Sequence, residues 1–170
     1  MKLLALTLAF ASPLAFAQAK TDYTLNGGPV HFHVPGDWTA IMEKSDGDPQ
    51  AVIFQVPDPV TQGTEDTASV TVKTRAMKSG DDFQSFVTEA FERAKGQSGY
   101  ENDATNKDSS VHRYYVTRSK VRYLVRDTYQ MNGNVGIEVR CQRPLLDSTP
   151  QEWNDKFDAA CANVVASMKK

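Results

Sequence analysis

The chain has 170 residues, with 19 Lys plus Arg against 21 Asp plus Glu and a formal charge of −2. This near-neutral, slightly acidic balance gives no electrostatic footprint for nucleic acid or for an anionic membrane surface. The length suits one compact domain preceded by a short leader, so the expected organisation is a signal peptide over residues 1–17 and a single domain over residues 18–170.

Lys2 precedes an apolar run from Leu3 to Phe16, broken only by Thr7, Ser12 and Pro13. That run is shorter than the roughly 20 apolar residues of a membrane span. It ends in Ala15-Phe16-Ala17, whose small first and third residues suit a signal peptidase. Cleavage is expected after Ala17, with Ala19 as the second choice. No cysteine follows the cleavage site to carry a lipid, and no later segment reads as a membrane helix. The mature chain is therefore expected in the periplasm or outside the cell, without stable membrane insertion. Loss of Lys2 takes its charge to −3.

Asn26-Gly27-Gly28-Pro29 reads as a turn before Val30-His31-Phe32-His33-Val34, whose period-two alternation predicts a half-buried strand ended by Pro35-Gly36. Ala51–Val56 and Ala68–Thr74 read as two more strands, the latter with Val70 and Val72 on one face, separated by an acidic polar loop. The period then changes. Phe83, Phe86, Val87, Ala90, Phe91 and Ala94 form the stripe of an amphipathic helix, with Ser79 as N-cap and Gly96 or Gly99 as its end. Residues 96–110 are polar and read as a long surface loop.

Strands resume over Val111–Thr117, Val121–Met131 and Val135–Arg143. The last two are expected to form a hairpin closed by the three-residue loop Asn132-Gly133-Asn134. Pairing Met131 with Val135 sets Tyr129 opposite Ile137 and Val125 opposite Cys141, which makes one face almost wholly apolar and leaves Asp127 to spoil it. The final helix is expected to begin with Thr149 as N-cap, Pro150 at the first helical position and Glu152 completing a capping box. Trp153, Phe157, Ala160, Cys161, Val164, Val165 and Met168 form its apolar stripe, and Lys169-Lys170 suit its C-terminal dipole. The two cysteines of the chain, Cys141 and Cys161, are an even count in an exported protein and are expected to form a disulfide fastening this helix to the last strand.

These elements make an α+β domain, a mainly antiparallel sheet layered with two principal amphipathic helices. Their order, with Phe32-His33-Val34-Pro35-Gly36-Asp37-Trp38 near the mature start, resembles the PsbP and DcrB-like families over residues 22–168. The resemblance implies an α/β/α sandwich and a small domain that binds partners or serves as an accessory subunit, with no catalytic residues to carry over.

Three constellations could carry chemistry. His31 and His33 point to one side of a strand and are candidate metal ligands, with His112 as a third; zinc requires three or four such groups at one point. Arg122, Arg126 and Arg140 are expected to share the polar face of the central hairpin, where guanidinium groups could hold an acidic partner by paired hydrogen bonds. Asp127 and Glu138 would form an acid pair, but the expected register puts them on opposite faces. No nucleophile is expected: Gly96-Gln97-Ser98-Gly99 lacks the spacing of a Gly-x-Ser-x-Gly elbow, and paired cysteines leave no thiolate.

The expected function is that of a non-enzymatic partner-binding or accessory protein of the periplasm without cofactors, whose partner is another cell-envelope protein. An immunity protein against a periplasm-targeted toxin is one form of this role. A small-ligand or metal-binding module built on His31 and His33 is the alternative.

Overall fold

A computed structural model describes residues 19–61 and 63–168. Residues 1–18, where the signal peptide is expected, and Gln62, Lys169 and Lys170 lie outside the described residues. Strands β1 (Lys20–Leu25) and β2 (Val30–Pro35) form a separate antiparallel hairpin. Its turn holds Asn26, Gly27 and Gly28 at positive φ, which explains the two glycines. Antiparallel ladders join β3 (Thr39–Lys44), β4 (Gln50–Val56), β5 (Ala68–Ala76), β6 (Glu101–Asn102), β7 (Val111–Arg118), β8 (Val121–Asn132) and β9 (Val135–Pro144) into a seven-stranded sheet. Its order is β3-β4-β5-β9-β8-β7-β6.

Two helices cover opposite faces of this sheet, displaced towards opposite ends. Helix α2 (Gln151–Ser167) and the β1–β2 hairpin close one face over β4, β5 and β9. Phe157, Cys161 and Val164 there join Phe32, Phe54, Val70, Ile137 and Val139 in the larger core. Helix α1 (Gly80–Lys95) lies on the other face. It sets Phe86 and Phe91 against Tyr129, and Phe91 against His112 at 4.0 Å between ring centres. A smaller core of Ala94, Tyr114, Val116, Tyr123 and Val125 lies on this side. Gly136 is required by the close approach of α1, because a Cβ there would meet Phe83 Cδ2 at 3.2 Å as well as the Met77 side chain.

The expected α+β architecture is the one observed. Helix α1 begins as the sequence predicts, with Ser79 Oγ accepting from the Asp82 N–H at 3.2 Å and Gly96 as C-cap. The cysteine pair is bonded, Cys141 on β9 to Cys161 on α2, with Cα atoms 6.3 Å apart.

Four expectations are corrected. The β8–β9 hairpin pairs Asn132 with Val135 and closes through Gly133-Asn134, so that Tyr129 faces Glu138, Asp127 faces Arg140 and Val125 faces Gln142. A two-residue turn with positive φ at its first position (Gly133, φ 58°) is stable. Both strands are central, so neither face is the one apolar face: β9 buries valines under α2 while β8 buries aromatics under α1. Thr149 does not cap α2. Pro150 is the extended N-cap residue, without a side-chain hydrogen bond, and Trp153 N–H and Asn154 N–H donate to its carbonyl. The segment 96–110 is not a simple surface loop, since it contributes edge strand β6 and the buried Asp103. Finally, β1 and β3 are strands that the sequence pattern did not announce.

Candidate functional site

Because the helices are offset, the β7–β8 end of the α2-side face carries no helix. Strand parity fixes which side chains appear there: Arg113 is directly opposite Arg126, Thr117 opposite Arg122, and Leu124 opposite Arg143. Four guanidinium groups and Tyr115 therefore share this surface. Arg122 lies over the Tyr115 ring at 4.0 Å and pairs with Glu101 at 2.6 Å. Arg113 Nε is 3.0 Å from Asp103 Oδ2, and Asp103 is held below the usual carboxylate range chiefly by the Thr105 hydroxyl bonding to it. Arg126 and Arg143 both approach Asp158 of α2, at 3.8 and 3.6 Å. Arg143 is buried, yet its Nε–H has no acceptor among the described residues.

The expected cluster of Arg122, Arg126 and Arg140 is divided: Arg122 and Arg126 lie on this surface and Arg140 lies on the opposite face. The cause is the hairpin register, which sets Arg126 opposite Cys141 and Arg140 opposite Asp127. Arg113 and Arg143 were missed. The parity of Arg113 and Tyr115 against Tyr114 and Val116 was the available signal, and Arg143 was hidden at the end of an apolar run.

On the α1 side, Arg140 donates to both oxygens of Asp127, from Nε at 2.8 Å and from a terminal nitrogen at 2.9 Å, and to Glu138 at 3.0 Å. Tyr114 and Tyr129 hydroxyls donate to Asp127 Oδ2. Asp127 and Glu138 thus occupy one face, contrary to the expected separation. Burial raises the Glu138 pKa and, with the neighbouring Asp127, pushes both tyrosine hydroxyls up; burial opposes the Arg140 charge, but Asp127 more than offsets it. This charge cluster ties β7, β8 and β9 together beneath α1.

His31 and His33 do share a side of β2, but each is engaged locally: His31 Nδ1 is 3.0 Å from Thr24 Oγ1 and His33 Nε2 is 3.1 Å from Lys20 Nζ. His112 does not approach them. It lies on β7 beneath α1, bonded to the Tyr100 hydroxyl at 3.2 Å, whereas β2 lies over the other face. Among the described residues, no group of three or more His, Cys, Asp or Glu is placed to hold a metal ion.

A groove of about 410 Å³ runs between α2 and the β2–β3 turn, with Trp38, Trp153 and Phe157 among its walls and Lys20, His33 and Lys156 at its rim. It continues past Trp153 into a second concavity of about 490 Å³ that is lined by Thr39, Gln55 and Asp58.

No protein-family model matches the chain, and no curated protein does. Among solved structures it is similar to LpqN of Mycobacterium tuberculosis, described as involved in cell envelope biogenesis. The two share 13% identity over 86% of this chain and 87% of that one, with a TM-score of 0.47. It is also similar to a crystal structure from Bacteroides thetaiotaomicron, at 14% identity over 89% of this chain with a TM-score of 0.46; the chain spans 48% of that protein.

Proposed function

We propose that the chain is an exported, non-catalytic accessory protein of the cell envelope that holds an acidic protein partner on the arginine-bearing end of its sheet. Export is supported by the leader pattern and by the bonded Cys141–Cys161 pair, a linkage that persists in oxidising compartments. The resemblance to PsbP and DcrB-like domains belongs to this reading, as does the particular case in which the partner is a toxin delivered to the periplasm.

The observation that carries it is the direct cross-strand juxtaposition of Arg113 and Arg126, flanked by Arg122 and Arg143. Like charges opposite one another on a ladder destabilise the fold. Asp103, Glu101 and Asp158 offset that cost only in part, because each guanidinium carries five N–H donors. An incoming carboxylate satisfies the remaining donors of Arg113, Arg122 and Arg126 in bidentate geometry.

The test is recovery of partners from an envelope extract by immobilised mature protein. Wild type should retain a partner that is released as salt rises, and Arg113→Gln with Arg126→Gln should lose it, with the fold of the variant checked by circular dichroism. Undiminished recovery by that double variant removes the reading.

A further inference from the structure

The groove beside α2 is independent of the arginine surface, and its chemistry is different. Both tryptophans of the chain line it. Trp153 stacks on Phe157 with centroids 5.5 Å apart and planes 17° apart, and its indole N–H is already donated to the Pro57 carbonyl at 2.9 Å. The polar handle of the ring is therefore spent inside the protein, and the groove meets only its apolar surface. Trp38 and Phe157 are buried in the walls, so the floor is rigid. Lys20 and Lys156 are exposed and line the groove; Lys20 Nζ lies 3.1 Å from His33 Nε2 and Lys156 Nζ pairs with Glu152 at 2.7 Å, an exposed pair of the weak surface kind that an incoming anion displaces. An apolar floor with two exposed ammonium groups beside it suits an apolar group that ends in a negative charge.

The second concavity decides between a compact ligand and an extended one. It shares Asp37, Val56, Pro57 and Trp153 with the first, so the two form one continuous track. Its wall contains Asp58, which is 5% exposed; Oδ1 accepts from the Val60 N–H at 2.9 Å, while Oδ2 has no partner among the described residues. A buried carboxylate oxygen without a donor is costly, and a ligand N–H would remove that cost. Peptide backbone supplies such donors at regular intervals along an extended chain, and a hydrocarbon chain supplies none.

We propose that this track binds the C-terminal segment of a peptide. Its last, apolar side chain packs against Trp38, Trp153 and Phe157, its terminal carboxylate lies between Lys20 and Lys156, and an upstream N–H donates to Asp58 Oδ2.

Intrinsic fluorescence reports on this site directly, because no tryptophan lies elsewhere. The mature protein is titrated with an N-acetylated hexapeptide ending in Leu-Phe with a free carboxylate, with the same peptide as its C-terminal amide, and with decanoate; calorimetry confirms stoichiometry. The free acid should bind one to one, and the amide at least about tenfold more weakly. Lys20→Ala with Lys156→Ala should reduce the difference between acid and amide, and Asp58→Asn should weaken both peptides. Lys20 and Lys156 are exposed, so their removal leaves folding intact, and Ala159→Phe, also at an exposed position, should block the groove without changing charge or adding a tryptophan. Equal binding of acid and amide, absence of peptide binding up to about 1 mM, or saturable binding of decanoate alone would overturn the assignment. Loss of acidic-partner capture by the arginine variants leaves it standing, since those residues lie elsewhere on the sheet.

Discussion

Asp127 and Arg140 face one another across the β8–β9 ladder, and both carboxylate oxygens receive guanidinium N–H bonds, at 2.8 and 2.9 Å. Asp127 is fully buried, and Glu138 leans on the same guanidinium. Removing the cation alone strands two buried carboxylates. Arg140→Met is therefore expected to cost about 3–5 kcal/mol. Asp127→Asn in the same chain should restore part of that loss, which urea unfolding of the two single variants and the double variant measures. Strict additivity would show that the pair is not coupled.

The stability of the α1 layer should also depend on pH through His112. Burial is the main cause lowering its pKa from 6.5, with Asp127 opposing and Arg140 and Lys95 reinforcing the shift. Phe91 of α1, Tyr100 and Tyr114 pack on the ring. The unfolded chain thus takes up a proton at a higher pH than the folded one. The His112 contribution is fully present above 6.5 and is lost as pH falls from 6.5 towards the folded value. Melting temperatures across this window should fall less steeply for His112→Gln than for wild type; parallel curves would contradict the assignment.

Gly136 is expected to tolerate no side chain, because Phe83 and Met77 of the α1 layer rest on its backbone. Gly136→Ala should destabilise by about 1–3 kcal/mol, the range for overpacking a filled site. Gly63→Ala tests a different effect, since nothing lies near its added Cβ and only its positive φ is strained.

Reduction of Cys141–Cys161 should release α2 first. The bond closes a sequence separation of 20 residues, worth about 3 kcal/mol in the chain-entropy account. Hydrogen exchange after reduction should quicken in α2 and in the β1–β2 hairpin packed against it, more than in α1. Uniform acceleration across both helices would indicate that the bond acts on the whole fold instead.

The helices were legible because a single apolar stripe faces one layer, as in Phe83 to Ala94 and Trp153 to Met168. The Cys141–Cys161 bond was legible from the even cysteine count, with Cys161 on the stripe of α2 and Cys141 on the apolar face of the last strand. The edge strand β3 was not: all six of its residues are exposed, including Ile41 and Met42, so no burial pattern distinguishes it from a loop. The β8–β9 register was hidden because apolar side chains lie on both faces of these central strands, and because Asp127 is satisfied by Arg140, its cross-strand neighbour on the same face. That single displacement also rearranged the arginine surface. The groove was beyond reach because Trp38, Asp58 and Trp153 are brought together only by tertiary packing.

Everything proposed about partners depends on the chain reaching an oxidising compartment and folding there. The direct measurement is the intact mass of native protein released from the cell envelope without reductant, before and after alkylation. The expected mass corresponds to a chain starting at Gln18, two hydrogens lighter than its dithiol form and inert to iodoacetamide. A chain retaining residues 1–17, with both Cys141 and Cys161 alkylated, would contradict the account.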